Sequence, residues 1–538
     1  MTNSLLKKLK MHNLVLLLLF FTTTFVAQTT RNVSNSSELT SAISNSANGD
    51  IINLTTNIVI SDQVIISGKT ITIEGNGFEV SVPRPGLDDM GRFNSSPSNF
   101  RVFLLSSAAN VTINNLKIKG GTLTSGIQTT GSGGGVLVSS GTTLRLENCV
   151  ISNSRSNVGT SFVGGGALAV FGVAYVNNSL IIRNAANYAG AFVCQGTNAR
   201  LYVNNSTFSE NRSTLSQGGG GAGEVNGSAI CYINNSTFSN NQASADGGAL
   251  QAGGGGTFGT IYVLNSTFSG NIMYGTGWSS NAGAIAAAEG IAYVVNSLFA
   301  YNYYRTGGTV SNPTSFALLD FAGGESNASR GVKLYHSIYH STIHSSFNIT
   351  GNIQYTGNLT GSDNSIFSGG ILSKITDGTG AEIGTAMVFR AFLFNDGNSV
   401  APTLRTGSFL LDAARRGVKT RYNQNNASPV ASYNSSGSTF TALPGSNVGT
   451  LSDLVLTDQL GEARGDQPLR GAIDNSTAGI IDDLYIVKVN GASGGTVNGG
   501  TIYGDSYRAG SSVTLTAIAN SGQQFVRWDY VSGGSGTA

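Results

Sequence analysis

The sequence predicts an all-β protein built mainly as a parallel β-helix, a rod of stacked coils. Three observations lead to this prediction: one segment recurs at a nearly fixed period, it is rich in strand-forming residues, and glycine-rich stretches precede most of its copies. A period near thirty residues is typical of solenoids. One strand per copy cannot bury its apolar face alone, but stacked coils can.

The recurring segment is clearest as LYVNNSTFSEN at Leu201–Asn211, and close copies lie at Cys231–Asn241 and Ile261–Asn271. Apolar residues alternate within it, as in Leu201 and Val203, which is typical of a half-buried strand. The central asparagines of successive copies are 33, 30, 27, 30, 30 and 31 residues apart. They are Asn115, Asn148, Asn178, Asn205, Asn235, Asn265 and Asn296.

The central asparagine suits a tight corner because this residue tolerates the left-handed backbone. Its amide can also hydrogen-bond to the equivalent amide one coil away, for about 1 kcal/mol net per bond. We therefore expect a structural asparagine ladder. A row of ligand-binding asparagines is the alternative.

A tyrosine stands three residues before the central asparagine in five consecutive copies, where flanking copies have Thr112, Arg145 and Lys333. A column that accepts arginine and lysine must face water, so we predict an exposed aromatic stripe with rings about 5 Å apart. The stripe either stabilises the sheet by cross-strand stacking or forms a flat platform for sugar rings or a partner protein. Its members are Tyr175, Tyr202, Tyr232, Tyr262 and Tyr293.

Two short motifs recur in phase: GGA-[LI] before the strand and F-x-x-N within it. They resemble the polymorphic outer-membrane-protein-type repeats of right-handed β-helix surface proteins. The resemblance implies a right-handed β-helix in a bacterial surface protein, often an adhesin or autotransported passenger, and it implies no catalytic reaction. F-x-x-N is present at Phe208/Asn211, Phe238/Asn241, Phe268/Asn271 and Phe299/Asn302.

The N-terminal region predicts export. Residues 1–27 combine a basic start with a short apolar run, which indicates a signal peptide. That run is too short for a membrane span, and no later segment qualifies as one. We expect residues 28–400 to form the β-helix, with regular coils over about 102–304 and an amphipathic helix near Ser36 covering the open end. The mature protein is therefore expected outside the cell or at its surface.

The C-terminal part carries two further resemblances. Within residues 401–480, Pro402–Gly417 and Thr457–Asp474 resemble the closing pair of secreted β-helix proteins, which implies a cap for the rod. Residues 484–538 resemble the divergent internalin B-type repeat, a small β-rich spacer on surface proteins, most clearly at Tyr507–Ala517. We expect this repeat to be truncated and an anchoring segment to be missing beyond it.

The composition argues against several classes of function. Charged residues make up 11% of the chain, against about 25% in typical domains, and the net charge is +2. Nothing therefore directs the protein toward nucleic acid or an anionic membrane. The cysteines Cys149, Cys194 and Cys231 form no disulfide framework, and we expect buried free thiols. No cofactor is predicted.

Catalysis on a β-helix would require acidic side chains in one column of adjacent coils, about 4.8 Å apart. No two acids between Leu144 and Asn302 share a column when they are counted from the central asparagines. These acids are Glu147, Glu210, Glu224, Asp246 and Glu289. The adjacent pairs Asp88-Asp89 and Asp482-Asp483 remain, and no catalytic residue is assigned.

Three of the four histidines lie four residues apart, at His336, His340 and His344. On a helix such neighbours can share one metal ion. The surrounding residues are β-branched and aromatic, so we expect a strand, on which the histidines lie about 13 Å apart. No metal site is predicted.

Two functional hypotheses follow. The first is a secreted or cell-surface adhesin or display rod that binds glycans or surface proteins without catalysis, and we favour it. The second is a secreted carbohydrate-active enzyme, a polysaccharide lyase or glycoside hydrolase on a pectate-lyase-like β-helix. If the tyrosine stripe is only scaffolding, the loops at Pro83–Arg101 and Arg305–Ser329 are the expected binding sites.

Overall fold

The computed structural model describes residues 28–335 with short gaps, and beyond them only separate segments. The gaps are residues 89–92, 127–130, 159–163, 216–217, 255, 276–281, 288, 296, 301, 309–312 and 323–329. The later segments are residues 338–339, 357–360, 371–376, 382–388, 418–421, 459, 472, 484–487, 495–498, 505–508 and 515–524.

The predicted fold class is confirmed, because the chain forms a right-handed parallel β-helix. A typical coil contains four short strands, and each strand pairs with the equivalent strand of the next coil. Four sheets, named A to D here, result from this stacking. In one coil the strands are Phe192–Gln195 in sheet C, Arg200–Asn204 in sheet A, Thr207–Ser209 in sheet B and Arg212–Ser213 in sheet D.

Sheets A and C are parallel throughout. Sheet A contains Thr30–Val33, Ile51–Leu54, Thr70–Glu74, Asn110–Asn114, Thr143–Glu147, Val173–Asn177, Arg200–Asn204, Ile230–Asn234, Thr260–Leu264, Ile291–Val295 and Gly331–Tyr335. Sheet C contains Val64–Ser67, Phe103–Ser106, Val136–Val138, Leu168–Val170, Phe192–Gln195, Gly223–Asn226, Leu250–Ala252, Ile285–Ala286 and Phe321–Ala322.

Sheets B and D are parallel along the rod and add antiparallel strands at their C-terminal ends. Sheet B contains Ile58–Val59, Glu79–Ser81, Lys117–Lys119, Val150–Ser152, Leu180–Ile182, Thr207–Ser209, Thr237–Ser239, Thr267–Ser269, Leu298–Ala300, Ile338–Tyr339, Gly357–Thr360, Ile371–Thr376, Glu382–Val388 and Val418–Arg421. Sheet D contains Thr122–Leu123, Arg155–Ser156, Ala185–Ala186, Arg212–Ser213, Gln242–Ala243, Ile272–Met273, Tyr303–Gly308 and Pro313–Leu318.

Strand alternation places the core inside the coils. Leu201 and Val203 of sheet A and Phe208 of sheet B are buried, and so are the residues paired with them in the next coil. The F-x-x-N phenylalanines form a continuous internal stack, because parallel pairing in register brings identical residues together. Ring centroids are 4.9, 4.8 and 4.7 Å apart along Phe208, Phe238, Phe268 and Phe299.

The helix expected near the start of the rod spans Ser36–Ser44. The side chain of Asn35 accepts a hydrogen bond from the Glu38 backbone N–H at 3.0 Å, which caps the helix N-terminus. The Glu38 carboxylate accepts one in return from the Ser34 N–H at 2.8 Å. Leu39 and Ile43 are buried in the same core as the first coils, so the helix covers that end of the rod.

The glycine before each core alanine lies where the backbones of adjacent coils meet. A Cβ on Gly221 would lie 2.1 Å from the carbonyl oxygen of Gly248, and one on Gly248 would lie 2.0 Å from that of Gly283. Real Cβ atoms do not approach so closely. The following alanines, such as Ala222 and Ala249, are fully buried in the core. This close approach explains the recurring Gly-Ala pair.

The three cysteines are free and buried, as expected. Cys149 occupies the column of the buried serines, and its backbone N–H donates to Ser179 Oγ at 3.0 Å. Burial raises the pKa of the Cys149 thiol to about 12. All three side chains therefore behave as small core residues.

An unexpected contact joins the side of the rod to residues far along the chain. Gln459 lies against sheet B, where its Oε1 accepts from Thr237 Oγ1 at 2.7 Å and its Nε2 hydrogen-bonds to Thr207 Oγ1 at 3.2 Å. The backbone N–H of Ala472 donates to Thr267 Oγ1 at 3.0 Å. Both residues belong to Thr457–Asp474, for which the sequence predicted a cap. These contacts lie on three central coils.

The last described segments form two antiparallel strand pairs. Leu484–Val487 pairs with Asp505–Arg508, and Gly495–Asn498 pairs with Thr516–Ala519. Among the described residues, no helix has the length and apolar character needed to cross a membrane. The proposed signal peptide, residues 1–27, lies outside the described residues.

Candidate functional site

The predicted tyrosine stripe lies on the outer face of sheet A. The five tyrosines are in register on adjacent strands, so their rings stack along the rod. Successive ring centroids are 4.8, 5.1, 5.0 and 5.1 Å apart, and the rings are within 11° of parallel. The spacing is close to the predicted 5 Å.

The exposure of the stripe differs from the prediction. Tyr175 and Tyr202 are only 8% and 5% exposed, and Tyr232, Tyr262 and Tyr293 are half-buried. The reason is the stacking itself, because each inner ring is covered on both faces by its neighbours. The guanidinium of Arg145 lies 4.1 Å above the Tyr175 ring. Burial, with a smaller contribution from the neighbouring tyrosines, raises the pKa of Tyr202 to about 12. The stack therefore turns ring edges, and not ring faces, toward solvent.

The central asparagines occupy left-handed corners, as predicted from their tolerance of that conformation. Their φ angles are 46°, 52°, 49°, 50°, 46° and 47°, in the order Asn115, Asn148, Asn178, Asn205, Asn235 and Asn265. Asn296 lies outside the described residues. Exposure varies along the row, from the exposed Asn148 to Asn265 at 1%.

A fully buried amide ladder lies in a second asparagine column, formed by the asparagine of F-x-x-N and its equivalent in the preceding coil. Each side-chain Nδ2 donates to the Oδ1 of the next residue in the column, at 3.1, 3.0, 2.9 and 2.9 Å. All five side chains are fully buried, and a buried amide requires such partners. The column consists of Asn184, Asn211, Asn241, Asn271 and Asn302.

Two acids that the sequence placed in different columns are neighbours in the structure. Glu224 lies on a strand of sheet C, in register with Gln251 of the next coil. Asp246 lies in the turn before Gln251 and hydrogen-bonds to that side chain. Counting columns from the central asparagines missed this pair, because Asp246 lies in a turn and not in a strand column.

Both carboxyl groups are enclosed, at 5% exposure each. Burial is the largest of the causes that raise the pKa of Glu224 to about 7, and the charges of Asp246 and Glu289 contribute to the rise. Burial likewise raises the pKa of Asp246 to about 7, with a contribution from Glu289. Asn226 Nδ2 donates to Glu224 Oε1 at 2.7 Å, which acts in the opposite direction. Such groups can exchange protons near neutral pH, but their burial leaves no room for a sugar ring.

The remaining sequence candidates are only partly described. Asp88 lies in the loop that follows the sheet B strand Glu79–Ser81. Asp89, Asp482 and Asp483 are outside the described residues. The histidines predicted to lie on a strand, His336, His340 and His344, are also outside them. Within the part of the chain that is described, no three His, Cys, Asp or Glu side chains are placed to hold a metal ion.

Comparison with known proteins identifies one domain. The divergent InlB B-repeat domain family matches residues 485–538, in agreement with the resemblance read from the sequence. No curated protein matches the chain. Among solved structures, the PL6 family alginate lyase AlyGC and a mutant of it are similar, with 13% and 12% identity and TM-scores of 0.21 and 0.24. The match covers 65% of this chain and 56% of the lyase chain in each case.

Proposed function

We propose that the protein is an exported, non-catalytic display rod or adhesin of a bacterial cell surface, which binds glycans or surface proteins. One observation carries the proposal: the repeated side chains contact their own copies in adjacent coils. Over several coils, phenylalanine and tyrosine rings stack on the equivalent rings of adjacent coils, and asparagine side chains hydrogen-bond to the equivalent asparagines. The repeated side chains therefore stabilise the rod, and we assign ligand binding to the surface loops. The resemblance to polymorphic outer-membrane-protein-type repeats and the InlB-type domain support a surface location.

Binding and turnover assays test this proposal. The chain is incubated with uronate and neutral polysaccharides, and products are analysed alongside binding to immobilised glycans and cell surfaces. Binding without product is expected. Turnover that is abolished by a single acid substitution would contradict the proposal.

The tyrosine stack is tested separately by replacing Tyr202, Tyr232 and Tyr262 with threonine. Stability should fall modestly, by about 0.2–1 kcal/mol per lost stacked pair. Binding should not change, because the ring faces are already covered. Loss of binding in a folded variant would instead place the ligand on sheet A.

A second candidate function, a carbohydrate-active enzyme, is favoured by the carboxyl pair Glu224 and Asp246 alone. Acid–base catalysis uses groups with pKa values near the working pH. The pair is buried, so substrate access would require the covering turn to move. If Glu224→Gln abolishes measured polysaccharide cleavage, this second function replaces the first.

A further inference from the structure

An exposed phenylalanine lies between two arginines on the surface of sheet D. Phe93 belongs to the loop Pro83–Arg101 and is 44% exposed. Its ring centroid is 4.3 Å from the guanidinium carbon of Arg155 and 4.1 Å from that of Arg212. We call these three residues the Arg-Phe-Arg cluster.

The register of sheet D explains how the arginines reach one ring. Arg155 pairs with Ala185, and Ala185 pairs with Arg212, so the arginines lie two coils apart in one column, roughly 9–10 Å along the rod. The small side chain of Ala185 between them leaves a gap. A backbone hydrogen bond from Leu87 N–H to the Asn153 carbonyl at 3.3 Å attaches the loop to the rod, and one from Asn94 N–H to the Gly86 carbonyl at 3.1 Å closes the loop beside Phe93.

The cluster brings two positive charges to one exposed aromatic ring. One cation–π contact fixes a ring, for about 0.5–1 kcal/mol at exposed sites, whereas the second arginine adds repulsion. Burial, followed by the charge of Arg212, lowers the pKa of Arg155. The buried Nε of Arg155 has no hydrogen-bond partner. A bound anion would offset the repulsion between the two guanidinium groups.

We propose that the Arg-Phe-Arg cluster binds an acidic polysaccharide, with the two guanidinium groups on its anionic substituents and the Phe93 edge against a sugar ring. The inference rests on the proposed function and names the class of glycan. Guanidinium groups bind carboxylate and sulfate through paired N–H donors, and two of them along the rod favour a chain with repeated charges. The open edge of Phe93 supplies the apolar contact.

The test measures binding of the full chain to immobilised polygalacturonate, heparin and dextran at low and high salt. Polygalacturonate carries carboxylate, heparin also carries sulfate, and dextran is neutral. The variants are Arg155→Gln/Arg212→Gln, Phe93→Leu and the charge-retaining Arg155→Lys/Arg212→Lys. The matched control is Arg145→Gln, which removes one arginine from an aromatic ring on sheet A. Thermal unfolding verifies that each variant is folded.

Wild type should bind one or both acidic polymers and not dextran, with affinity that decreases as salt increases. The affinity of the double glutamine variant for these polymers should be at least tenfold lower than that of the wild type. Phe93→Leu should lower the affinity by a smaller factor, and Arg145→Gln should leave it unchanged. The lysine variant, which keeps the charge, should lose affinity for lack of paired donors. Equal losses in the control and the double glutamine variant would overturn the site. Binding only to dextran or to a surface protein would also overturn it while leaving the proposed function intact, whereas product formation would overturn that function.

Discussion

At the scale of single residues, the rod is specified by side chains that stand in identical positions of successive coils. Gly221 permits backbone contact with the next coil, and Asn241 satisfies buried amides above and below it. Neither role depends on hydrophobicity. Both depend on an environment that repeats every coil, so a change at one position disturbs two interfaces.

Replacing Gly221 with alanine should destabilise the protein by about 1–3 kcal/mol, the usual range for overpacking. The new Cβ would lie 2.1 Å from the Gly248 carbonyl oxygen. Because this oxygen belongs to the backbone, it cannot move aside by a change of rotamer. Gly164→Ala is the matched control, since its nearest neighbour would be Val193 Cβ at 3.1 Å. Chemical denaturation compares the two. Equal stability of both variants would show that the coils separate easily.

Replacing Asn241 with alanine should cost about 3 kcal/mol, because Asn211 and Asn271 lose partners inside the core. Its Nδ2 also donates to the Phe208 carbonyl at 3.0 Å. Asn148→Ala, at an exposed left-handed corner, should cost only about 1 kcal/mol. Thermal unfolding of both variants measures the difference. The reverse order would show that the corner asparagines contribute more to stability than the buried column does.

At the scale of elements, the turn before the sheet C strand Leu250–Ala252 adds a carboxyl group to the residues on the outer face of that sheet. The turn at Asp246 brings this carboxyl group next to Glu224 and Gln251. Because folding encloses both acids without a counter-ion among their interactions, the folded state holds protons that the unfolded state releases. Stability therefore depends on pH in a defined direction.

Both pKa values rise on folding, from 4.5 for Glu224 and 3.8 for Asp246 to about 7. Their contribution to stability is complete below about pH 4 and is lost as pH rises through 7. Each group accounts for on the order of 3 kcal/mol. The wild type should accordingly be less stable in urea at pH 8 than at pH 5, and Glu224→Gln/Asp246→Asn should reduce that difference.

The control for this experiment is Glu147→Gln, on the outer face of sheet A, where the carboxylate accepts from Asn177 Nδ2. It should keep the wild-type dependence on pH. If the double variant and the wild type show the same dependence, the two acids are solvated in the folded protein.

At the scale of the whole molecule, residues far along the chain contact the outer side of the β-helix at sheet B. Gln459 bonds to Thr237 across 222 residues of sequence and links two adjacent coils through Thr207. The threonine hydroxyls are buried at these positions. The contact thus holds neighbouring coils together from outside the core.

Replacing Gln459 with alanine should destabilise these coils by about 1–3 kcal/mol, because buried hydroxyls lose their partner. Hydrogen exchange should increase in Thr207–Ser209 and Thr237–Ser239 and stay unchanged in the first coils. Gln28→Ala, which removes one exposed hydrogen bond to Gly49, is the control. Uniform exchange in both variants would mean that the coils need no lateral support.

The sequence alone determined the features that repeat. Its period, its alternating apolar residues and its recurring Gly-Ala and F-x-x-N motifs predict stacked coils, because parallel pairing places the same position of each copy side by side. It also predicted the tyrosine spacing and the left-handed corners. Each of these features recurs at the same position of successive copies, so aligning the copies is enough to predict it.

Only the tertiary structure decided which asparagines pair, how far the tyrosines are covered, and which acids meet. Amide pairing depends on burial, and burial depends on neighbours in other coils. The acid pair, the Arg-Phe-Arg cluster and the Gln459 contact all join a turn or a distant segment to the outer face of a sheet. Turns vary in length from coil to coil, so no period in the sequence records where they fold back.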